Sequence, residues 1–146
     1  MQTVASTAVG GKPNPGGSVI PLRRERGGGD NVDVRSVLIV DDHAGFRLRA
    51  RRLLEAEGWN VVGEAGDAAE ALRAVEDLQP EVVLLDVHLS DVNGLYVARA
   101  LSDDTAVVLT SSRDASDFAD RLAGTGACGF VPKAELSGDA LSALLP

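Results

Sequence analysis

The pattern of hydrophobic and polar positions in this chain changes at residue 36. Before it, apolar residues are scattered among the clusters "GGKPNPGGS" and "GGG" and follow neither strand nor helix periodicity. From Ser36 the pattern is regular. "SVLIV" is a continuous apolar run, as expected of a strand buried on both faces of a sheet. Phe46, Ala50, Leu53, Leu54 and Glu57 then follow helical spacing, and Gly58 closes that helix. "NVVGEA" predicts a second strand, and "DAAEALRAVEDL" a second helix with Asp67 as its N-cap. Pro80 introduces a third apolar run, "EVVLLD"; Gly94 follows a turn, and "LYVARAL" makes a third helix. "AVVLTSS" is a fourth strand and "DASDFADRLAGTG" a fourth helix with its stop. "CGFVPK" is a fifth strand, and "AELSGDALSALL" a final helix. Five strands alternating with five helices predict an α/β fold, a parallel sheet with helices on both faces. In such sheets the ligand sits beyond the carboxyl ends of the strands, at the topological switch point.

The same change of rhythm divides the chain. Residues 1–35 lack the apolar surface to offset ordering entropy and read as a disordered Gly/Pro-rich tail; residues 36–146 read as one folded domain. A translation start near Val32 or Val34 stays open. Charge divides at the same place. The tail holds five basic and three acidic residues, whereas 36–146 holds nine basic and nineteen acidic, for a formal net charge of -8 overall. An acidic domain argues against direct DNA binding, which demands a basic face. "LRRER" in the tail is read as solvated, and "GGKPNPGGS" is no phosphate loop because no Gly-Lys-Ser/Thr follows at the required spacing. With aromatics at 3%, the core must be aliphatic. The lone Cys128 forms no internal disulfide and suggests a reducing compartment. No apolar run approaches the roughly 20 residues that span a bilayer. Nor does the N-terminus resemble a signal peptide. A cytoplasmic protein is expected.

Candidate chemistry emerges when the carboxyl ends of the predicted strands are compared. Asp41 and Asp42 follow the first, and Asp86 ends the third. Thr110, Ser111 and Ser112 end the fourth, and the fifth runs through Pro132 into Lys133. All should converge on one rim. Three carboxylates there repel one another, and a hard divalent cation with oxygen ligands, such as Mg2+, would offset this. Asp86 is then free to act as a nucleophile toward a phosphoryl group, with the Thr110 hydroxyl and the Lys133 ammonium on its remaining oxygens. The lysine adds weight. The chain has 12 Arg but only Lys12 and Lys133, and a compact point charge is not interchangeable with a guanidinium.

These residues together resemble the receiver domain of response regulators in bacterial two-component signalling. "VDDH" matches the acidic pair, "LLDVHL" followed by "NG" the phosphoacceptor loop, "VVLTSS" the switch threonine and "GFVPK" the lysine. The resemblance implies a doubly wound, flavodoxin-like (βα)5 sandwich with a five-stranded sheet of order 2-1-3-4-5. It implies Mg2+ held by Asp41, Asp42, Asp86 and the backbone carbonyl of His88, with Asp86 phosphorylated by a sensor histidine kinase or histidine phosphotransfer protein. It also implies that Thr110 turns toward the phosphoryl group. Phe130 would report this to a downstream protein on the face of helix four, strand five and helix five. Some positions depart from the family. Ser90 stands where Pro is often found, Phe130 where Tyr is common, and Ala134 follows Lys133 where Pro is usual. His88 and Ser112 occupy positions that tune phosphoryl lifetime in the family. No conventional enzyme is expected, only self-phosphorylation and slow autodephosphorylation. The chain ends at Pro146 directly after the fifth helix, so a stand-alone receiver signalling through a protein partner is expected.

Plainer readings compete. Asp41 and Asp42 could cap the first helix, although that leaves Asp86 and Lys133 unexplained. His43 is read as beginning the helix, not as a metal ligand or phosphohistidine. The arginines of "FRLRARR" are read as a solvated face, Trp59 and Phe130 as core, and Cys128 as a small buried hydrophobe. Asp114, Asp117 and Asp120 are read as an exposed helix face. At the level of function, a receiver-like interaction module that is never phosphorylated stays open. A small hydrolase on the same kind of sheet would place Asp-x-Asp on the first strand, unlike the adjacent pair here.

Overall fold

Each long apolar run of the sequence becomes a strand that is covered on both sides. The structure, a computed structural model, describes residues 35–113 and 119–146. Within the unit Ser36–Pro146 the elements alternate. They run β1 (Ser36–Val40), α1 (Ala44–Ala56), β2 (Asn60–Ala65), α2 (Ala68–Leu78), β3 (Val82–Asp86), α3 (Gly94–Leu101), β4 (Ala106–Ser111), α4 (Ala119–Leu122), β5 (Gly129–Pro132) and α5 (Gly138–Leu144). The sheet is parallel, in the order β2-β1-β3-β4-β5. This is the expected doubly wound order, and the switch point falls at β1 and β3. The expectations for residues 1–34, and for the start of the fourth helix with Asp114 and Asp117, lie outside the described residues.

The two-residue period of a strand sorts the aliphatic side chains into two cores. Leu38 and Val40 of β1 join Val83 and Leu85 of β3 on one face, under Ala71 of α2 and Val97, Ala98 and Leu101 of α3. Val37, Ile39 and Leu84 point to the other face, against Phe46, Ala50 and Leu54 of α1 and Leu141 of α5. Trp59 joins this second core, while Phe130 is half-buried against the first. Helix ends follow local chemistry. Asp67 caps α2 by accepting from the Glu70 amide at 2.8 Å, and the Glu70 side chain accepts from the amide of Gly66, just before the cap, at 2.7 Å. Gly58 takes the left-handed φ of +94° that ends α1.

The last segment differs from the sequence expectation. Lys133 to Glu135 form a 3-10 turn, and α5 starts only at Gly138, where the Ser137 hydroxyl accepts from the Ala140 amide at 2.9 Å. Pro132 and Leu136 are extended on either side of the tight turn, so helical periodicity cannot begin at Ala134. Cys128 lies just before β5, half-buried, with its amide donating to the Val107 carbonyl at 2.8 Å.

Leu84 is fully buried at the centre of β3. Leu84→Ala should destabilise the protein by about 2–5 kcal/mol. Urea unfolding followed by the fluorescence of Trp59, the chain's one tryptophan, measures it; a loss below 1 kcal/mol would contradict this core assignment.

Candidate functional site

β1 and β3 are adjacent and parallel, so whatever follows them in sequence meets at the same edge. Asp41 follows β1 directly, 0% exposed, and its amide donates to the Ala65 carbonyl at 3.0 Å, which fixes its backbone against β2. Its Oδ1 accepts from the His43 amide at 2.8 Å. Asp86 closes β3 at 2% exposure, and its Oδ1 accepts from the His88 amide at 3.1 Å. Asp42 is partly exposed. The pair does not sit in the first turn of α1: His43 is the N-cap, and that turn carries no acid.

Lys133 reaches this edge from the turn after β5. Its Nζ lies 2.7 Å from Asp41 Oδ2 and 3.6 Å from Asp86 Oδ2, and 4.5 Å above the centroid of the Phe46 ring. The ammonium thus bridges two buried carboxylates with an aromatic face beneath it. Thr110 is the register partner of Asp86 across β3 and β4, fully buried. Its hydroxyl donates to the Val131 carbonyl of β5 at 2.6 Å. Ser111 is buried and accepts from the Arg113 amide at 3.1 Å, while Ser112 is exposed. His88 is exposed and bridges antiparallel to Asn93 across the loop. The sequence-predicted Asp41, Asp42, Asp86 and Lys133 therefore come together, with Thr110 alongside. Phe130 stands on β5, one residue before Val131, packed against the first core.

Two features of the loop after β3 keep it in place. Gly94 packs so closely that a Cβ there would lie 2.2 Å from the Asp86 carbonyl oxygen and 2.9 Å from the Val87 Cα. Only glycine lets α3 start this near the end of β3. Asp91 accepts from the Ala68 amide, 3.2 Å from each carboxylate oxygen, tying the loop to the first turn of α2.

Other contacts were not legible in the sequence. Arg47 and Arg51 are not a solvated face. Both donate to Glu64 of β2, at 3.0 and 2.7 Å, and Arg47 also donates through Nη1 to the Asp41 backbone carbonyl. The Arg51 hydrogen bond holds the Glu64 carboxyl below its ordinary pKa. The His43 ring turns back to the acids, with Nδ1 3.2 Å from Asp41 Oδ1 and 3.0 Å from Asp42 Oδ1. Its place directly after the acidic pair was the only available signal.

Burial, and secondarily the charge of Asp41, push the Asp86 carboxyl above its usual pKa; the His88 amide and Lys133 act in the opposite direction. Among the described residues, Asp41 Oδ2 and Asp42 Oδ1 are buried side-chain atoms whose partners are ion pairs alone, with Lys133 and with His43. Ligand atoms of Asp41, Asp42, His43 and Asp86 all lie within 4.8 Å of one another. Three carboxylates facing one ammonium, with lone pairs left over, fit a divalent cation.

Comparison with known proteins bears on the family of the chain. The family model described as "Response regulator receiver domain" matches residues 37–145. The response regulator GacA of Pseudomonas aeruginosa is 37% identical over 101 residues, 66% of this chain and 47% of the relative. The transcriptional regulatory protein DegU of Brevibacillus brevis is 34% identical over 115 residues, 76% of this chain and 48% of the relative. This chain thus spans about half the length of the curated relatives it matches. A LuxR-family two-component response regulator from Aurantimonas sp. SI85-9A1 superposes with a TM-score of 0.69 at 30% identity, over 77% of this chain and 86% of that one. The response regulator domain of Thermotoga maritima CheB, at 22% identity and a TM-score of 0.67, shares the fold over 77% of this chain and 94% of its own.

A raised carboxyl pKa in the folded state means that ionising Asp86 costs folding free energy. The cost is absent below the unfolded value of about 3.9 and is complete once pH exceeds the folded value. In metal-chelating buffer at pH 7.5, Asp86→Asn should therefore melt above wild type, by about 4–8 °C for each kcal/mol of ionisation cost removed. The gap should close as pH falls toward 4. Thermal unfolding across this range checks it, and a variant that melts below wild type at pH 7.5 would refute it.

Proposed function

This chain belongs to the response regulator receiver domain family, and from that premise we propose that residues 36–146 form a phosphorylation-dependent signalling switch with Asp86 as its acceptor. The observation that carries the reading is the position of Lys133 Nζ, within ion-pair distance of both Asp41 and Asp86 at the carboxyl ends of β1 and β3. The donor is a phosphohistidine of a sensor kinase or phosphotransfer protein. One Asp86 oxygen attacks phosphorus; a P–O bond forms as the P–N bond breaks, and the imidazole nitrogen keeps the electron pair. Asp41, Asp42, Asp86 and the backbone carbonyl of His88 would hold a Mg2+ ion, which when bound neutralises charge on the phosphoryl oxygens.

The chain's own residues do the rest. Lys133 exchanges its contact with Asp86 for a phosphoryl oxygen and keeps Asp41 as its second anchor. The Thr110 hydroxyl must give up the Val131 carbonyl before it can donate to the phosphoryl group, because it carries one proton. That exchange releases a bond between β4 and β5 next to Phe130. It gives the α4-β5-α5 face a means of signalling to a downstream protein. The acidic balance of residues 36–146 disfavours direct DNA contact by this domain. No described helix is long and apolar enough to cross a membrane. A lone cysteine and a kinase partner fit a cytoplasmic setting. Turnover is confined to the domain's own acyl phosphate, so it is a switch and not a conventional enzyme.

Intact-protein mass after incubation with acetyl phosphate, with and without Mg2+, tests the reading. Wild type should gain one phosphoryl group only with Mg2+, and Asp86→Ala none. A folded wild type that stays unmodified with Mg2+ present would replace this reading with a phosphorylation-independent interaction module.

A further inference from the structure

Asp41 carries two demands at once. Its Oδ2 pairs with the Lys133 ammonium at 2.7 Å, and in the proposed switch it is also a Mg2+ ligand. Where its carboxylate points depends on its peptide, which is fully buried in the gap between β1 and α1. The β1 ladder ends at Val40, and α1 opens with the Arg47 amide donating to the His43 carbonyl at 3.1 Å. Neither element offers a donor to the Asp41 carbonyl, and a buried carbonyl needs one. The donor is a side chain. Arg47 Nη1 reaches that carbonyl from the first turn of α1, because a helical side chain leans toward the helix N-terminus.

The guanidinium is itself held from the other side. Its Nε donates to Glu64 Oε1 at 3.0 Å, and Glu64 Oε2 accepts from Arg51 Nε at 2.7 Å. Arg51 donates in addition to Glu55 Oε2 at 3.1 Å and to the Val61 carbonyl at 3.4 Å. Glu64 precedes Ala65, whose carbonyl accepts the Asp41 amide at 3.0 Å. Both ends of the Asp41 backbone are thus tied to one stretch of β2, the amide directly and the carbonyl through Arg47. The bridge uses two nitrogens of one planar fork. An ammonium has a single nitrogen, which cannot stand where both Nε and Nη1 stand.

We propose that Arg47 is a positioning residue of the phosphoryl-accepting centre: clamped by Glu64, it fixes the Asp41 peptide and so sets where the Asp41 carboxylate meets Mg2+ and Lys133. The inference rests on the proposed switch and adds to it a residue outside the acidic cluster. A competing account is that Arg47 acts by its charge alone. The two accounts differ in sign. A bare cation near three carboxylates repels Mg2+, so its removal tightens binding. Removal of a clamp lets the Asp41 peptide shift and weakens binding.

Calorimetric titration of the metal-free full chain with MgCl2 separates them, using wild type, Arg47→Met, Arg47→Lys, Glu64→Ala and the double variant. Arg47→Met should lose about tenfold in Mg2+ affinity, the low end of what an outer partner of a metal ligand is worth. Arg47→Lys keeps the charge and should still lose most of that. Glu64→Ala should lose less, and the double variant should match Arg47→Met, because Glu64 acts through the guanidinium. In the metal-free chain, hydrogen exchange at the Asp41 amide should quicken about tenfold in Arg47→Met while the Leu84 amide of β3 keeps its rate. Unchanged or tighter Mg2+ binding by Arg47→Met, full affinity in Arg47→Lys, or losses that multiply in the double variant would overturn the clamp and leave the switch intact. If circular dichroism shows Arg47→Met unfolded, Arg47→Lys and Glu64→Ala decide, and wild-type affinity in both overturns the proposal. A wild type that binds no Mg2+ and gains no phosphoryl group from acetyl phosphate removes the switch itself, and this inference with it.

Discussion

The Lys133 ammonium, held between the carboxylates of Asp41 and Asp86, is the contact that compensates the buried acids at the edge of this sheet. Burying a carboxylate costs several kcal/mol unless charge and hydrogen bonds compensate it, and here two are almost wholly buried with a third beside them. One ammonium cannot neutralise three acids. Burial, and secondarily the charge of Asp41, therefore make Asp86 resist ionisation. The aliphatic sheet bears that cost. β1 and β3 are buried along nearly their whole length and hold Asp41 and Asp86 together whatever their charges prefer. Stability is generated in the two cores and spent at the rim, where the carboxylates are held in fixed positions.

The same logic extends to the elements around the pocket. Arg47 spans from α1 to the backbone of Asp41 and to Glu64 on the edge strand β2, so the position of the first acid is braced from outside the sheet. Gly94 and Asp91 brace the loop beyond the second. On the β4 side, among the described residues, the Ser111 hydroxyl accepts from the Arg113 amide at 3.1 Å. Thr110 is tied to β5 by a single hydroxyl bond to the Val131 carbonyl, a neutral interaction worth only about 1 kcal/mol net. Charged contacts thus brace the carboxylates, and neutral hydroxyl bonds hold the β4 side.

Much of this was legible in the sequence, for a physical reason. A parallel sheet needs strands buried on both faces, which read as unbroken apolar runs, and its chemistry collects where those runs end. Asp86 at the end of "VVLLD" and Lys133 after "GFVP" could be identified without coordinates because each interrupts or follows such a run. What sequence could not reveal were interactions between elements far apart in the chain. Glu64 carries no mark that pairs it with Arg47 and Arg51, since α1 and β2 meet only in the folded state. Helical periodicity across "AELSGDALSALL" concealed the 3-10 turn, because the feature that stops the helix is the extended backbone at Pro132 and Leu136. His43 was read from its place at a helix start. That reading holds for its backbone and says nothing of its ring.

The choice of lysine at residue 133, in a domain whose other cations are arginines, follows from the shape of the space. The approach to Asp41 and Asp86 is closed on one side by the Phe46 ring and leaves the side chain only 17% exposed. A guanidinium is a planar fork that satisfies its donors by lying flat against one carboxylate. Between two carboxylates from different strands it would pair with one and leave the other uncompensated. An ammonium presents three donors around a point, so it reaches both acids at unequal distances, 2.7 and 3.6 Å, and can exchange the weaker contact without losing the stronger. That asymmetry makes Asp41 the closer partner of the ammonium and Asp86 the more loosely paired one.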